Sequence, residues 1–296
     1  MTMIRTPDLY TDHFGLSQRP FSLVPDPEFL FWSRAHRGAL AMLDYGLMTR
    51  APITLLTGEI GAGKTTLLHH FLSRLDDDVT VGLVPGARPG DGGVLRWVLP
   101  ALGIAAAKGL DEADRFELFQ QFLIDEYGAG QRVLLIIDEA QNLDAAALEE
   151  LRMLTNINAG KDELLQLILS GQPELRARVR APDMVQLAQR VAANYHIPAM
   201  GRDTVLHYIA HRLRQAGGTP ALFTRQAAEA IHAASGGIPR LVNQLSDLAM
   251  TYAFAAGEKQ VRRATVQEVL DDGAFFAAGR ATAPADAPPD DGDPAP

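Results

Sequence analysis

The sequence predicts an α/β fold: a parallel sheet with helices on both faces, followed by a small all-helical module. Three observations predict it. Short apolar runs alternate with amphipathic stretches as far as Pro198, the pattern of strands joined by crossover helices. One of those runs, Val133-Leu-Leu-Ile-Ile137, is continuously apolar, as a strand covered on both faces must be. Beyond Pro198 the strand signals stop and only helical spacing continues.

The elements follow in chain order. Phe14-Gly-Leu-Ser-Gln-Arg-Pro-Phe21 and Pro25-Asp-Pro27 predict an irregular arm over residues 1–32 that packs its aromatics on the body. Ser33 is a plausible N-cap for a helix over Ala35–Met48, with Leu40, Leu43 and Leu47 on one face. Ile53–Thr57 reads as a buried strand ending in a Gly-rich turn, Lys64–Leu75 as a helix and Val79–Val84 as a strand. Helices are expected near Val94–Leu102 and Asp114–Tyr127, then the 133–137 strand and a helix over Ala145–Asn156. Leu164–Ser170 is the fourth strand, and a helix around Asp183–Val191 leads to a short strand at Tyr195–Ile197. These elements make a base domain of residues 33–200. Thr204–Gln215, Arg225–Ala234, Arg240–Ala255 and Thr265–Asp271 then form a helical lid over residues 201–278, broken at Gly217-Gly218 and Gly236-Gly237. Residues 279–296 read as a disordered tail. From Ala281 to Pro296 there are five Pro, four Asp and no large apolar side chain to offset the entropy of ordering.

Composition narrows the chemistry. The chain has 296 residues, 47% of them hydrophobic, enough for a sizeable core. It contains no Cys, which excludes disulfides, thiolate catalysis and Cys-held zinc or iron–sulfur sites. The net charge is −9, but four of the acids lie in the tail and residues 201–280 are slightly basic. The balance disfavours a nucleic-acid partner held by bulk charge, without excluding a local basic patch. No apolar run approaches the roughly 20 residues of a membrane span. Met1–Tyr10 lacks the apolar core of a signal peptide, so the expected location is the cytoplasm.

One motif carries the chemistry. Gly58-Glu59-Ile60-Gly61-Ala62-Gly63-Lys64-Thr65, continued by Thr66, fits G-x-x-x-x-G-K-[ST] and lies between a predicted strand and a predicted helix. Glycines let backbone N–H groups curl around phosphates, and the helix N-terminus adds partial positive charge. Lys64 would reach the β- and γ-phosphates of ATP, and Thr65 would offer its hydroxyl to Mg²⁺. Asp138 and Glu139 follow the 133–137 strand: Asp138 would complete the Mg²⁺ shell and Glu139 would orient and polarise the attacking water. No His/Asp/Glu group has the spacing of a dedicated metal site.

With these motifs the chain resembles the AAA+ ATPases, and within them the ExeA/GspA-type secretion ATPases and their relatives in exosortase and exopolysaccharide-export loci. The stretches that carry the resemblance are Tyr10-x3-Phe14-Gly-Leu, Pro20-Phe-Ser22, Pro25-Asp-Pro27, Asp138-Glu-Ala-Gln-Asn-Leu143, Gly171-Gln-Pro-Glu-Leu175 and Gly236-Gly-Ile-Pro-Arg240. They occur in the family's order, and the resemblance runs from about residue 10 to about residue 272. The resemblance implies a γ-phosphate sensor at Ser170, or a residue or two beyond it. It also implies an arginine at Arg190 acting in trans on a neighbour's nucleotide, with Arg176, Arg178 and Arg180 as rivals, and a lid arginine at Arg240 that contacts the γ-phosphate. It implies a homo-oligomer, a ring or a dimer, whose partners are envelope secretion or polysaccharide-export proteins. Full-length secretion members continue into a membrane helix and a cell-wall domain, whereas this sequence runs into an acidic tail, which favours the polysaccharide branch. Two other readings stay open. One is a DNA-binding regulator like the transposition target-selection ATPases; the other is a nucleotide-gated scaffold with little turnover.

Overall fold

The computed structural model describes residues 9–24, 29–86, 93–105, 107 and 109–276. The Pro25-Asp-Pro27 stretch and the acidic tail lie outside them.

Five strands form one parallel sheet: β1 (Ile53–Gly58), β2 (Val79–Val84), β3 (Arg132–Ile137), β6 (Leu165–Gly171) and β7 (Val191–Ile197), in the order β2-β3-β6-β1-β7. Register explains why the apolar runs are continuous. Leu135, Ile137, Leu167 and Leu169 face one side, where α4 (Leu95–Ala101), α5 (Glu112–Gly128), α6 (Ala145–Leu154), α7 (Pro173–Val179) and α8 (Val185–Arg190) bury Val98, Phe119, Leu151, Leu175 and Leu187 against them. The alternate residues Leu56, Leu134, Ile136 and Ile168 face the other side, covered by Leu43 of α2 (Arg34–Met48) and by Leu67 and Phe71 of α3 (Lys64–Leu72). Ser33 caps α2 by accepting from the His36 N–H at 3.2 Å.

Several boundaries differ from the sequence reading. α3 ends at Leu72 rather than Leu75, because the chain needs the residues before Val79 to turn back into the sheet. β7 begins at Val191, not Tyr195. As an edge strand it is fully buried only at Ala193 and Ile197, so its apolar signal is sparse. The helix expected around 183–191 is a 3₁₀ turn at Pro182–Met184 followed by the six-residue α8. α7, with Pro173 at its first position, and the small hairpin of β4 (Asn158–Ala159) and β5 (Asp162–Glu163) are elements the sequence reading lacks.

The lid consists of α9 (Arg202–Gln215), α10 (Arg225–Ser235), α11 (Pro239–Ala255) and α12 (Arg263–Asp271). Its core is not made by the lid alone. Tyr10, Phe14, Leu16, Phe21 and Phe29 of the arm are buried among Val205, Ile209, Leu245 and Val266. The arm carries a one-turn helix, α1 (Thr11–Phe14), where the sequence shows no regular signal. Tyr10 and Arg19 both donate to Asp247 on α11, and the Ser17 N–H donates to the Ala216 carbonyl at 2.8 Å. Arg212 of α9 lies buried beneath the arm. It donates to the carbonyls of Pro20 and Ser22 and stacks on the Phe29 ring with its guanidinium carbon 4.4 Å from the centroid.

Candidate nucleotide site

Parallel register places the polar residues that follow β1, β3 and β6 at one end of the sheet. Leu56 pairs with Ser170, and Ile137 pairs with Leu169, so Asp138 comes level with Ser170 beside the loop that leaves Gly58. The geometry is closely knit. One Asp138 oxygen accepts from the Thr65 hydroxyl at 2.7 Å, and the other accepts from the Ser170 hydroxyl at 2.7 Å. The Glu139 N–H donates to the same carboxylate at 3.0 Å, and Asp138 and Ser170 are both buried, so three donors hold it in one orientation.

The loop has the conformation its glycines predict. Gly61 and Gly63 have φ of +80° and +90°, the left-handed region that other residues enter at a cost. Gly61 is further constrained by the lid: a Cβ there would lie 2.4 Å from the Arg240 Cβ. The Arg240 N–H donates to the Gly61 carbonyl at 3.3 Å, so the first turn of α11 rests directly on the loop. Lys64 is buried and donates to the Gly58 and Glu59 carbonyls at 2.7 and 3.0 Å. Burial pushes its pKa down, while the nearby carboxylates of Glu139, Asp138 and Glu59 oppose the shift.

Glu139 has φ of +54°, rare for a residue with a side chain, and the turn after β3 imposes it. Its carboxylate accepts from Gln141 Nε2 at 2.6 Å and Gln172 Nε2 at 3.4 Å. The Gln172 N–H donates back to Gln141 Oε1 at 3.0 Å. Thus Ser170 is engaged with Asp138, whereas Gln172 is the residue of that stretch that reaches Glu139.

A cavity beside the loop joins arm, loop and lid. Glu139, Lys64, Thr65, Thr66 and Arg240 line one part, and Phe29, Phe31, Tyr208 and Asn243 line another. Tyr208 donates to Asn243 Oδ1 at 2.9 Å. The structure therefore brings Gly58–Thr66, Asp138, Glu139, Ser170 and Arg240 together. Gln172 falls within the residue or two beyond Ser170 that the sequence leaves open, whereas His36, Gln141, Tyr208, Arg212 and Asn243 were missed. Gln141 stands three residues after Asp138 and was the most accessible of these; the others carry no local signal.

Arg190 lies elsewhere. It precedes Val191, which pairs with Ile53, so it occupies the end of the sheet opposite the loop. Its guanidinium donates to the Thr155 carbonyl at 3.2 Å and to Asn156, and pairs with Glu163 at 3.3 Å. It makes no contribution to the site of its own chain. Arg178 and Arg180 are exposed. Arg176 is half-buried and, after burial itself, is a cause of the lowered pKa of His196, whose Nδ1 lies 3.0 Å from the Thr57 hydroxyl.

Residues 47–179 match the model of a family described as AAA domain. General secretion pathway protein A of Aeromonas hydrophila is 38% identical over 253 residues, which is 86% of this chain. The chain is of the ExeA/GspA type of AAA+ ATPase. It spans 46% of the length of that relative, about half. Among solved structures, the Aeropyrum pernix ORC2 protein superposes with a TM-score of 0.61 at 17% identity, covering 86% of this chain and 72% of that one. The RuvB branch migration motor of Thermotoga maritima gives 0.52 at 19% identity over the same shares. At these identities the likeness is one of fold: a P-loop ATPase sheet followed by helices. The fold implies a bound nucleotide. The donor set fits Mg²⁺ too, because the Thr65 hydroxyl and Asp138 carboxylate are hard oxygen ligands 2.7 Å apart. Among the described residues no group of three or more His, Asp or Glu could hold a metal by itself, so phosphate oxygens and water would complete the shell.

Proposed function

We propose that this protein hydrolyses ATP in the presence of Mg²⁺ and uses the cycle to drive or regulate assembly of an envelope export machine. The observation that carries the catalytic half is the Asp138 carboxylate bridging the Thr65 and Ser170 hydroxyls beside Lys64. Mg²⁺, held by Thr65 and Asp138, would neutralise charge on the phosphates. The loop amides and Lys64 bind and orient the triphosphate. Glu139, fixed by Gln141, orients water and takes its proton as the γ-phosphoryl group is transferred. Ser170 connects the Asp138 carboxylate to the end of β6, and Arg240 places the lid on the loop, so phosphate state and lid angle are coupled.

The export half is supported by the 38% identity to a secretion pathway protein. Secretion proteins or exopolysaccharide-export proteins are the partners it suggests. Among the described residues no helix is long and apolar enough to cross a membrane. Arg190 is proposed to serve a neighbouring copy in a homo-oligomer, which requires it to leave Glu163 and Asn156.

The decisive experiment is ATP turnover with Mg²⁺ by the wild type and by Glu139→Gln. Turnover in the wild type, with ATP bound but uncleaved in the variant, is expected. Normal hydrolysis by Glu139→Gln overturns the assignment of the base. ATP-dependent DNA binding that persists at physiological salt favours the regulator reading instead.

A further inference from the structure

We propose that His36 is a positioning residue for the phosphate loop. Its imidazole, which itself lines the cavity, holds the Ala62 carbonyl in place, so that the neighbouring amides keep their direction toward the phosphates. The proposal rests on reading Gly58–Thr65 as a triphosphate site. Such a loop binds through N–H groups, and each amide turned inward sends a carbonyl outward. A buried carbonyl needs a donor. Ala62 is buried, and His36 Nε2 lies 3.1 Å from its oxygen.

The tautomer follows from the partners. A carbonyl only accepts, so Nε2 carries the proton and Nδ1 of the neutral ring must accept. The Ser33 hydroxyl, 2.8 Å away, supplies that proton, while its oxygen accepts from the His36 N–H to cap α2. Burial favours the neutral ring by pushing its pKa down. The fit is close at the next residue as well, since a Cβ on Gly63 would come 3.0 Å from His36 Nε2.

The helix that carries His36 is itself clamped to the sheet. A Cβ on Gly38 would meet the Tyr195 hydroxyl of β7 at 2.5 Å, and one on Gly46 would meet Thr54 Oγ1 of β1 at 2.2 Å. Gln166 of β6 donates to the Gly46 carbonyl at 3.1 Å. Three strands thus hold α2 still, and one imidazole passes that rigidity to the loop.

Three variants of the full chain separate this role from mere packing. Gln can place its amide nitrogen where Nε2 lies, Asn can reach only the Nδ1 position, and Phe keeps the ring without a donor. Each is titrated with a fluorescent ATP analogue in Mg²⁺, followed by turnover at saturating ATP. His36→Gln should bind within about threefold of the wild type, while His36→Asn and His36→Phe weaken binding by about tenfold or more, the size expected for an unpaired buried carbonyl. KM should rise by similar factors, with kcat changed less. Equal affinities for all three variants overturn the proposal. So does an affinity order that follows the thermal midpoints of the nucleotide-free proteins. Lys64→Ala is run in parallel. If it binds as tightly as the wild type, the triphosphate reading fails, whatever the His36 order.

Discussion

The two halves of the cavity are built by different logics. The phosphate side is local: Gly58 to Thr66 is one uninterrupted stretch, and Asp138, Glu139 and Ser170 are delivered by strand ends in register. The arm and lid side is assembled from afar. Arg212 reaches the Pro20 carbonyl across 192 positions, and Tyr10 reaches Asp247 across 237. Chemistry concentrated in a contiguous loop can be lost through one side chain with little effect on folding. A wall made of distant segments loses shape and stability together.

Four variants sharpen that contrast. The largest expected effect is on the phosphate side: Glu139→Gln should lower turnover by at least about 10³-fold while the thermal midpoint changes little. A clear loss of stability would break the distinction. Arg212→Ala should do the reverse. Removing a buried guanidinium that serves two carbonyls and one ring should cost about 2–3 kcal/mol in urea unfolding. It should also weaken nucleotide binding by loosening the arm. A stable Arg212→Ala protein with a normal KM would show that the arm is not part of the wall. Gln141→Leu is expected to lower kcat about tenfold with nucleotide affinity unchanged, because Glu139 loses its shorter amide contact. Asp247→Asn should be milder, about 1 kcal/mol, since the amide oxygen can still accept from Arg19 while the Tyr10 hydroxyl turns to accept from the amide nitrogen.

The smallest effect is one of pH, and it touches both sides. His36, His196 and His211 all have pKa values lowered by burial. The folded protein favours their neutral forms, so their contribution is complete above the unfolded value of about 6.5 and is lost as pH falls through the folded values. The urea midpoint should therefore drop between pH 7 and pH 5. A flat profile would remove these histidines from the stability account.

The phosphate side was also the legible side. A phosphate loop needs particular residues at consecutive positions, and a strand buried on both faces needs a solid apolar run, so β1, β3 and β6 with their terminal residues stand out in the sequence. The edge strand β7 was read four residues short because it is fully buried at only two positions, Ala193 and Ile197. The arm's aromatics were legible as buried, but not as members of the lid core, since nothing local to Phe14 or Phe21 names its partners. His36 was invisible for the same reason: its meaning depends on where α2 meets the Ala62 carbonyl. Arg190 is the converse case, recognisable by position yet found bonded within its own chain.

The placement of the arm changes how the chain divides. Its residues 9–24 and 29–31 belong with residues 200–276, so the helical body is discontinuous in sequence and the sheet is spliced into it. The chain passes between the two bodies twice, near Trp32 and near Ala199. A fragment begun at Ser33 would not be a trimmed enzyme. It would be a lid with an open core, shorn of Tyr10, Phe14, Leu16, Phe21 and Phe29, and prone to aggregate. Separating the bodies cleanly requires both crossings to be cut and residues 9–31 to be rejoined to the lid by a linker.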